Sequence, residues 1–116
     1  MVAGTDSPGL GTFYGEGLHH ELELLVEAGL TPVEAISAAT RNAAQLMNAA
    51  GEWGTIEPGK RADLLVVNGQ PDNRIQDTHK VEMVMKQGVM LNREQLKFDS
   101  TRDSALTPTI LTNVNR

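Results

Sequence analysis

The tetrapeptide Thr31-Pro32-Val33-Glu34 restricts the fold more than any other stretch of this sequence. A Thr followed three residues later by Glu is typical of a capping box, in which each side chain accepts a hydrogen bond from the other residue's backbone N–H. Pro is favoured at the first helical position because its φ is already set and its missing N–H is not needed there. The pattern therefore predicts a helix that begins at Pro32 with Thr31 as its N-cap.

Apolar spacing predicts further helices on both sides of this start. Four apolar residues before it fall at helical spacing and predict a helix over residues 18–28, with Gly29 just beyond its end. They are Leu18, Leu22, Leu25 and Val26. After the capping box, a Thr-Arg-Asn sequence at residues 40–42 predicts a break, because Thr and Asn favour helix ends. A second short helix is expected over residues 43–49, ended by Gly51.

The second half of the chain changes to strand patterns. An apolar run of strand length covers residues 62–67 and is followed by Asn-Gly. Alternation over residues 81–86, a Gln-Gly turn and a short apolar return over 89–91 predict a β-hairpin. The polar segment 92–116 is expected to be a largely mobile tail. We therefore divide the chain into a helical part at residues 1–50, a strand-forming part at 51–91 and this tail.

Asp6 is the candidate functional residue. It ends the short run Val-Ala-Gly-Thr, which predicts a strand over residues 2–5, and Ser-Pro-Gly turns the chain directly after it. A carboxylate at the carboxyl end of a buried strand is where α/β barrels place catalytic groups. The alternative is that Asp6 only forms the turn, since Asp in such a position commonly hydrogen-bonds its own backbone.

Composition excludes several classes of function. The net charge is −5 and no Lys/Arg cluster is present, which argues against a nucleic-acid partner. The absence of cysteine excludes disulfides and thiolate metal sites. No apolar run approaches the roughly 20 residues that span a bilayer, and the N-terminus lacks the pattern of a signal peptide. We therefore expect a cytoplasmic protein with no membrane partner.

Five segments occur along the chain in a distinctive order and spacing: AGTDS at residues 3–7, ELELLVEAGLTPVEAI at 21–36, ATRNAA at 39–44, GTIEPGKRADLLVV at 54–67 and a valine–glycine hairpin at 84–89. Together they resemble the C-terminal end of the amidohydrolase superfamily, in its imidazolonepropionase-like and Xaa-Pro-dipeptidase-like branch. The resemblance covers residues 2–91. It implies an α/β fragment: the last strand and helices of a (β/α)8 amidohydrolase barrel, followed by short strands of the flanking β-sandwich.

The resemblance also implies a chemistry for Asp6. In the family, the matching aspartate at the end of the eighth barrel strand ligates a divalent metal, with zinc the expected ion, and acts as a base toward the attacking water. Ser7, Pro8 and Gly9 would form part of the substrate loop. The reaction implied for the complete enzyme is hydrolysis of a C–N bond in a small-molecule amide, peptide or cyclic amide.

The family's metal site uses further residues that this sequence lacks. It needs His-x-His on the first strand, Lys or Glu on a middle strand and two more histidines, whereas the chain has only His19, His20 and His79. A catalytic zinc site has three protein ligands as a rule. We therefore expect the isolated chain to be inactive and to hold no metal stably alone. The partners that we expect are a second copy of the chain, in a homo-oligomer, or the N-terminal portion of such an enzyme.

Two other classes of function stay open. The chain can be a non-catalytic structural or interaction module derived from such an enzyme, which self-associates to bury its apolar helix faces and open strand edges. It can also be a small domain with no site, if Asp6 is only an exposed turn residue. Self-association distinguishes the first class, because a monomer would leave those faces in water.

The other polar residues have simpler explanations. His19 and His20 point about 100° apart on a helix, so they cannot both face one metal. His79 lies in a polar stretch and is expected to be exposed to solvent. Three acidic residues of the first helix, Glu21, Glu23 and Glu27, are expected to form a solvated face. Asp63 precedes a strand and is expected to make a structural turn contact.

Overall fold

The computed structural model describes residues 1–7 and 15–96 of the chain. Three helices come first, α1 at Glu16–Glu27, α2 at Pro32–Ala39 and α3 at Arg41–Leu46. Three strands follow them, β1 at Leu64–Val67, β2 at Val81–Lys86 and β3 at Val89–Met90. Two 3₁₀ helices complete the described part, at Ile75–His79 between β1 and β2, and at Arg93–Leu96 after β3. The succession of helices and then short strands is the predicted one.

The start of α2 is a complete capping box, as predicted. The side-chain oxygen of Thr31 accepts a hydrogen bond from the backbone N–H of Glu34 at 3.3 Å, and Glu34 Oε2 accepts one from the backbone N–H of Thr31 at 2.8 Å. Pro32 is the first helical residue. The hydrogen bond from the Thr31 backbone lowers the pKa of the Glu34 carboxyl below its usual value. This local network fixes the point at which the chain enters α2.

The break predicted near residue 40 separates α2 from α3. Thr40 lies between them with φ −122° and ψ −89°, and its Oγ1 donates to the carbonyl of Ile36 at 2.8 Å. Gly54 packs against this junction with a φ of +100°, and a Cβ built there would lie 2.5 Å from Ala44 Cβ. Close approach and backbone conformation therefore both favour glycine at position 54.

The three strands form one antiparallel sheet in the order β1-β2-β3. The predicted hairpin is confirmed, and Gln87 and Gly88 join β2 to β3 with φ values of 51° and 79°. Two successive positive φ values are what a type I′ hairpin turn requires. The turn therefore matches the right-handed twist of its strands.

The pairing of β1 with β2 is interrupted by a bulge. Val66 lies opposite Met83, but the next residue, Val67, lies opposite Val81. Glu82 is therefore an extra residue in β2. A bulge of this kind bends the strand that carries it and increases the local twist.

A small apolar core joins the helices to the sheet. Leu22 of α1, Ala35 of α2 and Ile75 of the 3₁₀ helix Ile75–His79 are buried together. Four partly buried apolar residues pack around them, namely Leu25, Val26, Ile36 and Ala39. Ile75 is only 2% exposed, so the connection between β1 and β2 is part of the core rather than a surface loop.

The predicted strand at residues 2–5 is wrong for the described structure. Strands occur there only at Leu64–Val67, Val81–Lys86 and Val89–Met90. The backbone N–H of Ala3 instead donates to the carbonyl of Ala38, at the end of α2, at 3.2 Å. A strand forms only where a neighbouring strand takes its backbone hydrogen bonds. The described residues provide no such neighbour for the N-terminal segment.

Other predicted boundaries shift or lie beyond the described residues. Helix α1 begins at Glu16, two residues before the predicted start, and α3 is shorter than predicted and ends at Leu46. Residues 97–116 of the predicted mobile tail lie outside the described part of the chain. The division near residue 51 stays a prediction. No helix within residues 1–7 and 15–96 has both the length and the apolar character needed to cross a membrane.

Candidate functional site

Asp6 lies exposed at the end of the N-terminal segment, with its backbone in the left-handed region at φ 49°. Asp and Asn are among the non-Gly residues that adopt this conformation most readily. Backbone strain of this kind also concentrates at functional sites. Within residues 1–7 and 15–96, no hydrogen bond or ion pair occupies its carboxylate. Asp6 therefore has an uncommon backbone conformation and an exposed side chain, and the choice between a turn residue and a functional one stays a prediction.

The segment before Asp6 is fastened to the helices by its backbone. The N–H of Gly4 donates to Glu21 Oε1 at 2.8 Å, and the carbonyl of Met1 accepts a hydrogen bond from Asn42 Nδ2 at 3.0 Å. With the bond between Ala3 and the end of α2, these contacts attach the segment to all three helices. Glu21 is therefore not simply part of a solvated helix face, as its spacing predicts.

Of the three predicted substrate-loop residues, only Ser7 lies in the described part of the chain. Its hydroxyl lies 2.8 Å from that of Thr5. A Cβ built on Gly17 would lie 2.8 Å from Ser7 Oγ, so the first turn of α1 passes directly against this residue. Pro8 and Gly9 fall in the segment that is not described.

The described residues do not form a metal site around Asp6. Across residues 1–7 and 15–96, no three His, Asp or Glu side chains are grouped so that they could hold a metal ion. A catalytic zinc site has three protein ligands as a rule. A single exposed carboxylate therefore does not fit the metal on its own, and no reaction step is derived through a metal.

The histidines are brought together, but not with Asp6. Nδ1 of His79 lies 2.9 Å from Glu16 Oε1 and Nε2 lies 3.0 Å from Glu23 Oε1, while the rings of His19 and His79 have centroids 4.6 Å apart. The solvated-face prediction is thus also wrong for Glu23. His79 belongs to a 3₁₀ helix rather than a loop, although it keeps the predicted exposure to solvent. The i, i+3 and i+7 spacing of Glu16, His19 and Glu23 on α1 is the sequence pattern that marks this cluster.

His19 is the histidine whose electrostatics the fold changes. Burial lowers the pKa of His19 most, the nearby His79 lowers it further, and Glu16 and Glu23 act in the opposite direction. Its Nδ1 lies 3.1 Å from the hydroxyl of Thr78. His19 is therefore held as a packed, hydrogen-bonded ring between α1 and the 3₁₀ helix Ile75–His79.

Asp63 makes the structural turn contact that its position predicts. Its Oδ1 accepts a hydrogen bond from the backbone N–H of Gln87 at 2.8 Å, and its Oδ2 lies 2.9 Å from Lys86 Nζ and 2.8 Å from Arg61 Nε. These partners, the Gln87 backbone first and Lys86 second, lower the pKa of Asp63 to about 2. The shift follows from contacts that close the hairpin, so it does not indicate catalysis.

Asp77 has a similar structural role in the connection between β1 and β2. It is only 6% exposed, its Oδ2 accepts a hydrogen bond from the backbone N–H of Gln70 at 3.0 Å, and its Oδ1 lies 2.9 Å from Lys80 Nζ. The hydrogen bond from Gln70 is the main cause of its lowered pKa. A Cβ built on Gly69 would lie 2.5 Å from Asp77 Oδ2, so the backbone passes close to this carboxylate.

An open depression of about 360 Å³ lies beside α2 rather than at Asp6. Its lining includes Met1, Leu30, Val33 and Arg41. Its lining also includes Ser37 and Glu34, but the Glu34 carboxylate is engaged by Thr31 in the capping box, so we keep Asp6 as the candidate for chemistry.

Similar proteins of known structure or activity identify the class. The fold superposes on that of a Xaa-Pro dipeptidase, solved with methionine in its active site, with a TM-score of 0.66 and 33% identity over 70% of this chain and 20% of that chain. The imidazolonepropionase of Geobacillus kaustophilus (strain HTA426) is 52% identical over 40 residues, 34% of this chain and 9% of that relative. An adenine deaminase of Clostridium botulinum (strain ATCC 19397 / Type A) is 30% identical over 87 residues, 75% of this chain and 14% of that relative.

The class that these similarities define is that of the amidohydrolases, a group that generally depends on a metal. The sequence profile of the amidohydrolase family matches residues 1–91. The chain belongs to the amidohydrolase family, and the resemblance read from its segments is confirmed. It spans only 9% and 14% of the length of the two curated relatives named above. The exact place of these helices and strands within the barrel and its flanking sandwich stays a prediction.

Proposed function

We propose that the chain provides the Asp6-bearing C-terminal part of an amidohydrolase that cleaves a C–N bond in a small amide, peptide or cyclic amide. The observation that carries the proposal is the family match over residues 1–91, which includes Asp6. The carboxylate of Asp6 supports it, because it is exposed and has no hydrogen bond or ion pair with the described residues, and its segment is attached to the helices. In this assignment residues 1–50 belong to the end of the barrel, and β1, β2 and β3 belong to the flanking β-sandwich.

Asp6 is proposed as the general base of the complete enzyme. It would accept a proton from the attacking water and return it to the leaving nitrogen, a role that contributes about 10²–10⁴-fold to rate in enzymes generally. The family's metal, for which zinc is our expectation, would supply Lewis-acid chemistry. Asp6 would be one of its ligands. Because the described residues offer no further ligands, the isolated chain is proposed to be inactive.

A chimeric enzyme tests this assignment. Residues 1–91 would replace the matching C-terminal segment of the G. kaustophilus imidazolonepropionase, and imidazolonepropionase turnover would be measured for the chimera and its variants. Asp6→Asn removes the proton acceptor while keeping a residue that tolerates positive φ. We expect it to lower kcat by about 10² or more. Asp72→Asn, at an exposed position after β1, is the matched control and should leave turnover unchanged.

Two results would contradict the proposal. One is an Asp6→Asn chimera as active as the unchanged chimera. The other is hydrolysis of dipeptides or cyclic amides by the purified 116-residue chain with a divalent metal added, because the isolated chain is proposed to be inactive. If that activity were insensitive to Asp6→Asn, the chemistry would lie elsewhere in the chain.

A second candidate function is that of a self-associating structural module. It is favoured by apolar side chains left in water on the small sheet, where Leu65, Val89 and Met90 are 54%, 64% and 51% exposed. Burial of apolar surface gains about 25 cal/mol per Å². Among the described strands, β1 and β3 are the edges of the sheet, and an edge strand presents backbone groups that another strand can pair with. A second copy of the chain could cover both features.

Sedimentation equilibrium tests this second candidate. The chain should form a dimer at tens of micromolar, and Leu65→Thr should weaken the dimer without unfolding the monomer, because position 65 is already exposed. Val33→Thr is a control at an equally exposed position on α2, away from the sheet. A monomer throughout this concentration range would rule out self-association as the function.

A further inference from the structure

Glu21 of α1 holds the backbone of the N-terminal segment close to Asp6. Its Oε1 accepts a hydrogen bond from the backbone N–H of Gly4 at 2.8 Å, two residues before Asp6. Among residues 1–7 and 15–96, no hydrogen bond from a helix reaches this segment nearer to Asp6 in sequence. The direction in which the chain arrives at Asp6 therefore depends most directly on this contact.

Gly4 is a position that packing does little to restrain. It is exposed, and a Cβ built on it would meet no atom of the described residues within 4 Å. Glycine has the widest choice of backbone conformations, so a free glycine two residues before Asp6 would let that residue turn away from α1. The hydrogen bond to Glu21 restricts this freedom. Because its acceptor is a carboxylate oxygen, the bond belongs to the stronger, charge-assisted kind.

The chain on the other side of Asp6 meets the same face of α1. Gly17 lies four residues before Glu21 on this helix, and residues at that spacing share a face. A Cβ built on Gly17 would lie 2.8 Å from Ser7 Oγ, so glycine lets Ser7 lie directly against the helix. Helix α1 therefore contacts the chain both before and after Asp6, at Gly4 and at Ser7.

Asp6 has an uncommon backbone conformation between these two contacts. Its φ is 49°, and its exposed carboxylate has no hydrogen bond or ion pair with the described residues. A side chain without such contacts takes its direction from its own backbone. A general base acts only within hydrogen-bond reach of the proton that it removes, and a misplacement of about 1 Å can cost about 10²-fold in rate. A residue that fixes the backbone beside Asp6 can therefore change the rate without touching the substrate.

We propose that Glu21 is a positioning residue of the hydrolytic reaction, which fixes the backbone before Asp6 and so directs the Asp6 carboxylate toward the attacking water. This role rests on the proposed function of Asp6 as the general base. Glu21 supplies only an acceptor oxygen for the N–H of Gly4. The amide oxygen of a glutamine can accept the same hydrogen bond. Gln should therefore replace Glu21 in this role, whereas Ala should not.

Turnover by the imidazolonepropionase chimera tests the role, because Gly4 and Glu21 both come from this chain. We expect Glu21→Ala to lower kcat about tenfold or more while KM changes less than about twofold, and Glu21→Gln to keep kcat within about threefold. Glu27→Ala is the matched control, since it removes an exposed carboxylate from the same helix, and it should leave kcat unchanged. Added to Asp6→Asn, Glu21→Ala should cause no further loss, because Glu21 acts through Asp6.

A measurement on the 116-residue chain does not depend on catalysis. In NMR spectra, a positive φ gives a strong nuclear Overhauser effect between the amide proton and Hα of the same residue, because the two protons come close together. We expect this signal at Asp6 in the unchanged chain and in Glu21→Gln, and its loss in Glu21→Ala. The amide proton of Gly4 should also exchange with solvent faster in Glu21→Ala.

The outcomes distinguish the role of Glu21 from the proposed function. If Asp6→Asn leaves turnover intact, the proposed function fails and the positioning role fails with it. If Asp6→Asn removes turnover while Glu21→Ala preserves it, only the role of Glu21 is contradicted. An equal loss from Glu21→Ala with and without Asp6→Asn would show that Glu21 acts on the fold alone, and would overturn the proposal. An unchanged Asp6 signal in the spectra of Glu21→Ala would do the same.

Discussion

The backbone N–H of Gln87 donates a hydrogen bond to Asp63 Oδ1 at 2.8 Å, which ties the tip of the hairpin to the residue before β1. Gln87 has a φ of 51°, an uncommon conformation for a residue with a Cβ. Asp63 also receives Lys86 and Arg61 on its other oxygen. One carboxylate therefore pairs with two cations and helps to hold the turn in a conformation that costs energy.

This contact predicts a specific acid sensitivity. The pKa of Asp63 is lowered from 3.8 to about 2, mainly by the Gln87 hydrogen bond. A carboxyl whose pKa is depressed in the folded state stabilises it above the unfolded pKa, and this contribution is lost as pH falls through the folded value. We expect the chain to lose stability between about pH 4 and about pH 2, and Asp63→Asn to lose less over that interval.

Urea unfolding at stepped pH values measures the difference. Asp72→Asn, which removes an exposed carboxylate, should follow the unchanged chain. Parallel stability curves for the unchanged chain and Asp63→Asn would show that the hydrogen bond does not couple folding to protonation at this residue.

Removal of the α2 cap should destabilise the chain. Thr31→Ala takes away the hydroxyl that accepts from Glu34 N–H and is expected to lower the free energy of unfolding by about 0.5–2 kcal/mol. Thr31→Ser keeps a hydroxyl at the same position and should cost less. Chemical denaturation of both variants is the measurement. Equal stability of Thr31→Ala and the unchanged chain would mean that the capping box does not contribute in solution.

A methyl group at position 54 should be poorly tolerated. Gly54→Ala would place its Cβ 2.5 Å from Ala44 Cβ at a φ of +100°, and we expect a loss of about 1–3 kcal/mol in the free energy of unfolding. Gly51→Ala is the matched control three residues earlier, where a Cβ would meet nothing within 4 Å. Thermal unfolding compares the two. If Gly51→Ala destabilises as much as Gly54→Ala, general glycine replacement rather than the contact with α3 is responsible.

The parts of the fold that sequence predicts well are those decided by neighbours along the chain. The capping box at Thr31 and the break at Thr40 depend on residues within one helical turn, and the structure has both. The hairpin turn at Gln87 also follows from local residues, because glycine at position 88 permits the positive φ that the turn needs. Features that depend only on neighbouring residues can therefore be predicted from a single sequence.

The features that the sequence missed or predicted wrongly depend on residues that are distant along the chain. A strand at residues 2–5 needs a neighbouring strand, and the apolar run alone does not supply one. The meeting of His19 with His79 brings together positions 60 residues apart, a contact that no periodicity predicts. Ile75 is a single apolar residue in a polar stretch, so its burial at 2% exposure follows only from tertiary packing. Asp6 stays a predicted functional residue, and across residues 1–7 and 15–96 no group of three potential metal ligands forms.

The extra residue Glu82 in β2 has a consequence for how the sheet can go wrong. A slip of one residue between paired strands moves every side chain to the opposite face. Here the two sides of the bulge already differ by one residue in register, with Val66 opposite Met83 and Val67 opposite Val81. If β1 slid along β2, side chains could face the correct side of the sheet on one side of the bulge only if they faced the wrong side on the other. The bulge therefore favours one register between these two short strands over all shifted ones.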